Sequence, residues 1–173
     1  MKSPRSVIVA TTFVLLAAFA VAQQAHFSTP QFSITFNGRV TAWANPNKTS
    51  VDKFFASKNA SVAQTVVYRN IDSGIDVDAA SLDFYIKQLT KHEVVRGRQD
   101  GTNKGQMFAY FETTTPDNSQ HRYWLVIHDP RTMFLLMETT PDGLDDSAEW
   151  NAFSNSFVIN ETPSRAPQGC DQR

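Results

Sequence analysis

Histidine, cysteine and carboxylate side chains bind metals or move protons near neutral pH. The chain carries four histidines, His26, His92, His121 and His128, and a single cysteine, Cys170. A metal site needs several ligands converging, at i and i+4 on a helix or at matching parity on a strand. His121 and His128 sit seven apart in an apolar run that reads as a strand, and so fall on opposite faces. His92-Glu93 lacks the second histidine of a zinc-binding helix. The four read as strand-end and helix-end residues, and no metal or other cofactor is expected. Asp72, Asp76 and Asp78 suit a hard cation by type, but their spacing is not that of an EF-hand loop and Asp78 is needed as a helix cap. Asp142, Asp145 and Asp146 read as turn and helix-start residues.

Nucleophilic chemistry finds little support. There is no Gly-x-Ser-x-Gly elbow, and Cys170 lies near the chain end among Pro167 and Gly169. A hydrolase would have to use His128 or Asp129. Arg96, Arg98 and Lys104 flank a turn containing Gly101 and Gly105, and form a candidate anion or partner patch. Charge guarding an edge strand explains the same residues. The aromatics Phe54, Phe55, Tyr110, Trp124 and Phe134 are a candidate apolar pocket between helix and sheet, with ordinary core packing as the alternative.

The elements that must position these residues centre on residues 106–140. Three apolar runs follow one another there, each split by parity. Met107, Ala109 and Phe111 oppose Phe108 and Tyr110; Tyr123, Leu125 and Ile127 oppose Trp124 and Val126; Met133, Leu135 and Met137 oppose Phe134 and Leu136. Both faces of all three strands are apolar, so the sheet must be covered on both sides. Trp124, mid-strand, is expected to be buried beneath a helix.

Upstream, Phe32, Ile34 and Phe36 alternate with Ser33 and Thr35, and Asn37-Gly38 is a type I′ turn signal, which predicts a hairpin returning over residues 39–44. Residues 50–58 show helical spacing of Val51, Phe54 and Phe55 and are expected to be a helical turn or loop. Residues 62–68 and 94–98 read as strands, and 100–105 as a turn. Asp78 caps a helix whose stripe is Leu82, Tyr85, Ile86 and Leu89. A second helix carries Trp150, Phe153 and Phe157, with Asp146 and Glu149 spaced as a capping box. The expectation is an α/β chain of the α+β type: an antiparallel β-sheet covered by one helix on each face, a three-layer α/β/α sandwich.

Composition bounds the setting. Lys2 and Arg5 precede an apolar run over residues 7–19, and Ala20-Val21-Ala22 fits a small-x-small cleavage site, so residues 1–22 read as a signal peptide. The run is shorter than the roughly 20 residues of a membrane span, and no integral membrane segment is expected after cleavage. Removing Lys2 and Arg5 takes 16 basic residues to 14 against 17 acidic, a net charge of −3. That balance does not suggest nucleic acid. One cysteine allows no intramolecular disulfide. Residues 161–173, polar and containing Pro163 and Pro167, read as a disordered tail. Asn47, Asn59 and Asn160 head sequons that matter only on a eukaryotic secretory path.

The succession Leu82-Asp83-x-Tyr85, Tyr123-Trp124-Leu125-Val126, Phe134-Leu135-Leu136 and Phe153-x-x-Ser156-Phe157-x-Ile159 resembles the PsbP-like sandwich family. That family holds the extrinsic photosystem II protein, a nuclear-import Ran-binding factor and many bacterial exported proteins. The resemblance implies a single α/β/α domain over 30–160 and export from a bacterial cell, to the periplasm or the medium. It transfers no catalytic residue. Cystatin-like and NTF2-like folds are the alternatives, with helices on one sheet face only. The function expected is a non-enzymatic binding or accessory module of the cell envelope, holding a protein or envelope component through a sheet edge or loops. A carrier of a small apolar ligand is the alternative, and a hydrolase a third. If the leader is read correctly, mass spectrometry of the natively expressed protein should find an N-terminus at Gln23; an intact Met1 in the exported fraction would refute it.

Overall fold

In the computed structural model the described residues are 24–44, 51–59, 62–91, 93–141 and 147–160, with backbone alone for 42–44 and 51–59. The expected leader and tail lie outside them. In chain order the elements are β1 (Ala25–Ser28), β2 (Phe32–Phe36), β3 (Thr41–Ala44), β4 (Val51–Asn59), β5 (Val62–Asn70), α1 (Ala79–Leu89), β6 (Val94–Asn103), β7 (Gln106–Thr114), β8 (Gln120–Asp129), β9 (Thr132–Thr140), α2 (Ser147–Asn155) and β10 (Val158–Ile159). They form two antiparallel sheets. The larger has the order β3-β4-β5-β9-β8-β7-β6 and the smaller β1-β2-β10.

The parity of β7, β8 and β9 sorts their side chains into two cores. Ala109, Phe111, Tyr123, Leu125, Ile127, Met133 and Leu135 pack with Leu82 and Ile86 of α1. Val126, Phe134 and Leu136 pack on the other side with Trp150 and Phe153 of α2 and with Phe32, Ile34 and Phe36 of β2. Alternation along β2 therefore has a physical cause: its three apolar side chains face the larger sheet. This corrects the expectation of a sheet covered by helices alone. The cover opposite α1 is a second sheet together with α2, not a helix alone.

Local chemistry sets the boundaries. Asp78 Oδ1 accepts the Ser81 amide at 2.8 Å and starts α1, as its sequence position suggested. Thr90 ends the helix, its amide and its hydroxyl both donating to the Ile86 carbonyl at 2.9 Å. Lys104 and Gly105 both have positive φ, 48° and 81°, the backbone of a two-residue hairpin turn between β6 and β7. The expected turn over 100–105 thus shrinks to two residues, and the strand before it is longer than residues 94–98.

Two further expectations are corrected. Asn37-Gly38 does not close a hairpin onto β3. Both edges of β2 are already taken, by β1 and β10. The chain instead crosses to the larger sheet, where Thr41–Ala44 pairs with β4. Residues 51–59 are a strand paired with β5 along their whole length, from Val51 opposite Asn70 to Asn59 opposite Val62. Local helical spacing loses there to nine residues of ladder.

Trp124 lies on the α2 side, half-buried, its ring meeting Phe157 edge-on at 6.0 Å. It packs against the core that holds Trp150 and Phe153 of α2 but is not fully enclosed. Phe134 is the enclosed ring, in contact with Phe32, Tyr68 and Phe157. Removing a buried aromatic costs about 3–5 kcal/mol, and less where part of its surface is already in water. Urea unfolding should therefore rank Phe134→Ala as the larger loss and Trp124→Ala as the smaller. An equal or reversed order would contradict this packing.

Candidate functional site

At one end of the larger sheet both faces turn polar. On the α2 side four cross-strand neighbours form a row: Gln64, Glu138, Arg122 and Glu112. Gln64 and Glu138 are each 1% exposed. Gln64 Nε2 donates to Glu138 Oε2 at 2.7 Å, and its Oε1 accepts the Asn37 amide at 2.9 Å. The Arg122 guanidinium lies 3.8 Å from Glu138 Oε1 and donates to Glu112 Oε1 at 3.2 Å and to Ser147 Oγ at 3.4 Å. A carboxylate taken out of water needs such a cation beside it. Beside the row, a cleft of about 240 Å³ is lined by Thr35, Phe36, Asn37, Gln64, Glu149 and Phe153 among others. It is smaller than the roughly 300 Å³ at which ligand pockets begin.

On the α1 side the polar group is Glu93, Thr113, His121 and Tyr123. His121 Nδ1 stands 2.8 Å from the Tyr123 hydroxyl and 3.2 Å from Glu93 Oε1. The Tyr123 hydroxyl donates to Glu93 Oε2 at 3.0 Å, and Thr113 donates to the same oxygen. Burial, and then the Glu93 charge, pushes the Tyr123 phenol well above its ordinary range. It is a fixed donor, not a nucleophile. Both Glu93 oxygens are engaged, and none of these residues lines the cleft described above. The cluster ties the α1–β6 connection to the sheet. Glu93 was not singled out by sequence reading. The signal was there in register, since Thr113 and His121 are cross-strand partners.

The other histidine of β8, His128, is on the opposite face, over Phe134 at 6.3 Å and 2.8 Å from Gln106 Nε2. Asp129 accepts the Arg131 amide in the β8–β9 turn at 2.7 Å. Among the described residues no group of three or more His, Cys, Asp or Glu side chains converges as metal ligands. His92, Asp142, Asp145, Asp146 and Cys170 lie outside the description.

The candidate cations do not gather into one patch. Arg98 reaches α1: its Nη2 donates to Asp83 Oδ1 and to Asp100 Oδ2, both at 2.6 Å, and its Nε donates to Asp100 Oδ1 at 2.8 Å. The Asp100 contact above all holds its guanidinium firmly protonated. A bulge at Gly97, φ 64°, shifts the register, so that Arg96 falls opposite Glu112 on the α2 side while Arg98 falls opposite Phe111 on the α1 side. Lys104 is exposed in the hairpin turn. Of the candidate pocket residues, Tyr110 packs on Trp150 at 5.9 Å and donates its hydroxyl to Glu112. Trp124 and Phe134 join the same core, and the side chains of Phe54 and Phe55 lie outside the description. The large apolar residues left in water include Phe84, 56% exposed and off the α1 stripe, and Val94 and Val95 at the start of β6, 65% and 40% exposed.

The buried phenol makes a pH prediction. In the unfolded chain Tyr123 ionises near pH 10, whereas the folded phenol resists, so stability falls as pH rises past about 10. Tyr123→Phe should flatten that fall, with a residual slope from Tyr68, whose phenol burial also pushes upward. Urea midpoints at about pH 8 and about pH 11 read this; identical slopes in both proteins would count against a buried phenol.

No family model matches the chain, and no curated sequence does. Among solved structures it is similar to the solution structure of cyanobacterial PsbP (CyanoP) from Synechocystis sp. PCC 6803, with a TM-score of 0.56. The two share 12% identity, over 82% of this chain and 95% of that one. Likeness at that identity is one of architecture: two antiparallel sheets and two helices in a PsbP-like fold.

Proposed function

We propose that the chain is an exported, non-enzymatic accessory module that works by holding another protein at the open edge of its larger sheet. The observation that carries this reading is β6. It is ten residues long, ends the sheet, and is exposed at every position but Gly101, which is half-buried. A strand edge offers a row of unpaired amides and carbonyls, to which an extended segment of a partner can add. Val94 and Val95 supply apolar contact at its start, and Arg96 and Lys104 supply exposed charge along it.

The polar groups with catalytic potential support a non-enzymatic role in another way. Glu93, His121 and Tyr123 spend their hydrogen bonds on one another, and Arg122 spends its charge on Glu112 and Glu138. A carrier of a small apolar ligand would need more room than the α2 cleft offers, and its candidate aromatics Tyr110, Trp124 and Phe134 are occupied by packing. No helix among the described residues is long and apolar enough to cross a membrane. Export, to the periplasm or the medium, rests on the leader.

The test is capture by the tagged mature protein from envelope extract, with mass spectrometry of proteins and lipids. The wild type should retain a protein that a Val94→Asp/Val95→Lys variant, folded by circular dichroism, loses. Equal capture by both would reject the edge; a lipid retained by both, with no protein, would favour the carrier.

A further inference from the structure

We propose that the partner fitting the β6 edge is a second copy of this chain, joined antiparallel about a two-fold axis at Gln99. The inference rests on the reading of β6 as a docking edge and adds the identity of what docks. It begins from charge. Arg98 and Asp100 lie two residues apart, on one face, either side of Gln99. When two such strands run antiparallel through Gln99, Arg98 of each copy falls opposite Asp100 of the other. Four charges then alternate in a ring on the α1 face, where opposite signs directly across a strand pair are favourable.

The same register disposes of the bulge. It sets the bulged pair Gly97 and Arg98 of one copy opposite Asp100 of the other, twice, with Gly101 next along. Around Gly97 the direction of a side chain is open space, with nothing within 4 Å. At Gly101 that direction is filled from within the chain, since a Cβ there would run into the Phe108 ring. The edge is thus narrow where the bulge makes it irregular. Beyond the bulge the pairing is offset by one residue, so Arg96 falls opposite Gly101 on the α2 face and Val95 opposite Thr102 on the α1 face, and no like charges meet along the strand.

The helices above it are compatible. α1 packs on β7. From β7 of one copy to β7 of the other, across two β6 strands, is three strand spacings, about 14 Å. Helices of about 10–12 Å diameter fit side by side at that separation with one layer of side chains between them. Asp83, already bonded to Arg98, is on that flank, and Lys87 one turn later balances its charge. The product is one continuous sheet with seven strands from each copy.

Sedimentation equilibrium of the mature protein, from about 1 to about 200 µM, tests this. The wild type should approach twice the monomer mass. Arg98→Asp alone and Asp100→Arg alone should each stay monomeric, with dissociation raised at least about tenfold. Mixed one to one, the two variants should form a heterodimer, because each then offers the other two opposite charges in this register. Asp83→Asn, which removes only the link to α1, should leave the wild-type dimer in place. Circular dichroism of each variant guards against misfolding. A wild type monomeric throughout, with Arg98 and Asp100 acting only as a guard on the edge, would overturn the proposal. So would a dimer that both single variants retain, or single variants that stay apart when mixed. If the wild type is monomeric yet the Val94→Asp/Val95→Lys variant still loses an envelope protein, the second copy is excluded and the docking edge survives.

Discussion

A sheet with two dry faces cannot stand alone, and β7, β8 and β9 make one. Whatever else the chain does, it has to supply cover on both sides. It does so from different parts of its length. α1 is inserted between β5 and β6 and covers one face locally. The other face is covered by the two ends of the domain, which must find each other first. β10 pairs with β2, the Thr35 amide donates to Ser156 Oγ at 2.8 Å, and Asn160 bonds back to the carbonyls of Gln31 and Thr29. Contacts of such sequence separation make for slow folding, because loop closure comes before reward.

The polar rows at the end of the sheet complete this arrangement by fixing register. A slip of one residue in β8 would turn Arg122 from Glu138 and Glu112 toward the α1 core. A slip of two would restore the faces but set Arg122 among Leu136 and Val66, with Glu138 left without its cation. Apolar surface tolerates either displacement better than these charges do. On the α1 face Thr113, His121 and Tyr123, closed by Glu93, impose the same requirement. Both clusters are therefore accounted for by the fold they hold in place.

How much of this the residues disclosed follows the range of the forces involved. Period-two alternation and a single helical stripe are local, and they identified β7, β8, β9 and α1 together with the face each side chain takes. Asp78 was legible for the same reason, since a cap bonds three residues on. What escaped is what depends on distant strands. Asn37-Gly38 has turn chemistry, but whether a turn closes a hairpin depends on whether β2 has a free edge, and β10 takes it from more than a hundred residues away. Residues 51–59 carry helical spacing that only β5 overrules. The candidate cations were visible as residues and illegible as a site: one bulge at Gly97 parts Arg96 from Arg98. Tyr110, Trp124 and Phe134 were legible as apolar, but the rings they meet, Trp150, Phe157 and Phe32, belong to distant parts of the chain.

The two edges of the larger sheet differ in a way that bears on function. At one end β3 is four residues long, the short edge by which sheets avoid unwanted pairing. At the other end β6 is ten residues long and, among the described residues, no element covers it. A guarded edge of that length would be expected to carry charge free to repel an incoming strand. Instead Arg98 is folded back onto Asp83 and Asp100, two acceptors of its own chain, and the edge is left close to neutral at its centre. The charge that remains unpaired among the described residues, on Arg96 and Lys104, sits toward its ends. Neutral at the middle, apolar at the start and cationic outside the middle, β6 lacks the unbroken row of like charge that keeps strands off an edge, and the proposed docking depends on that lack.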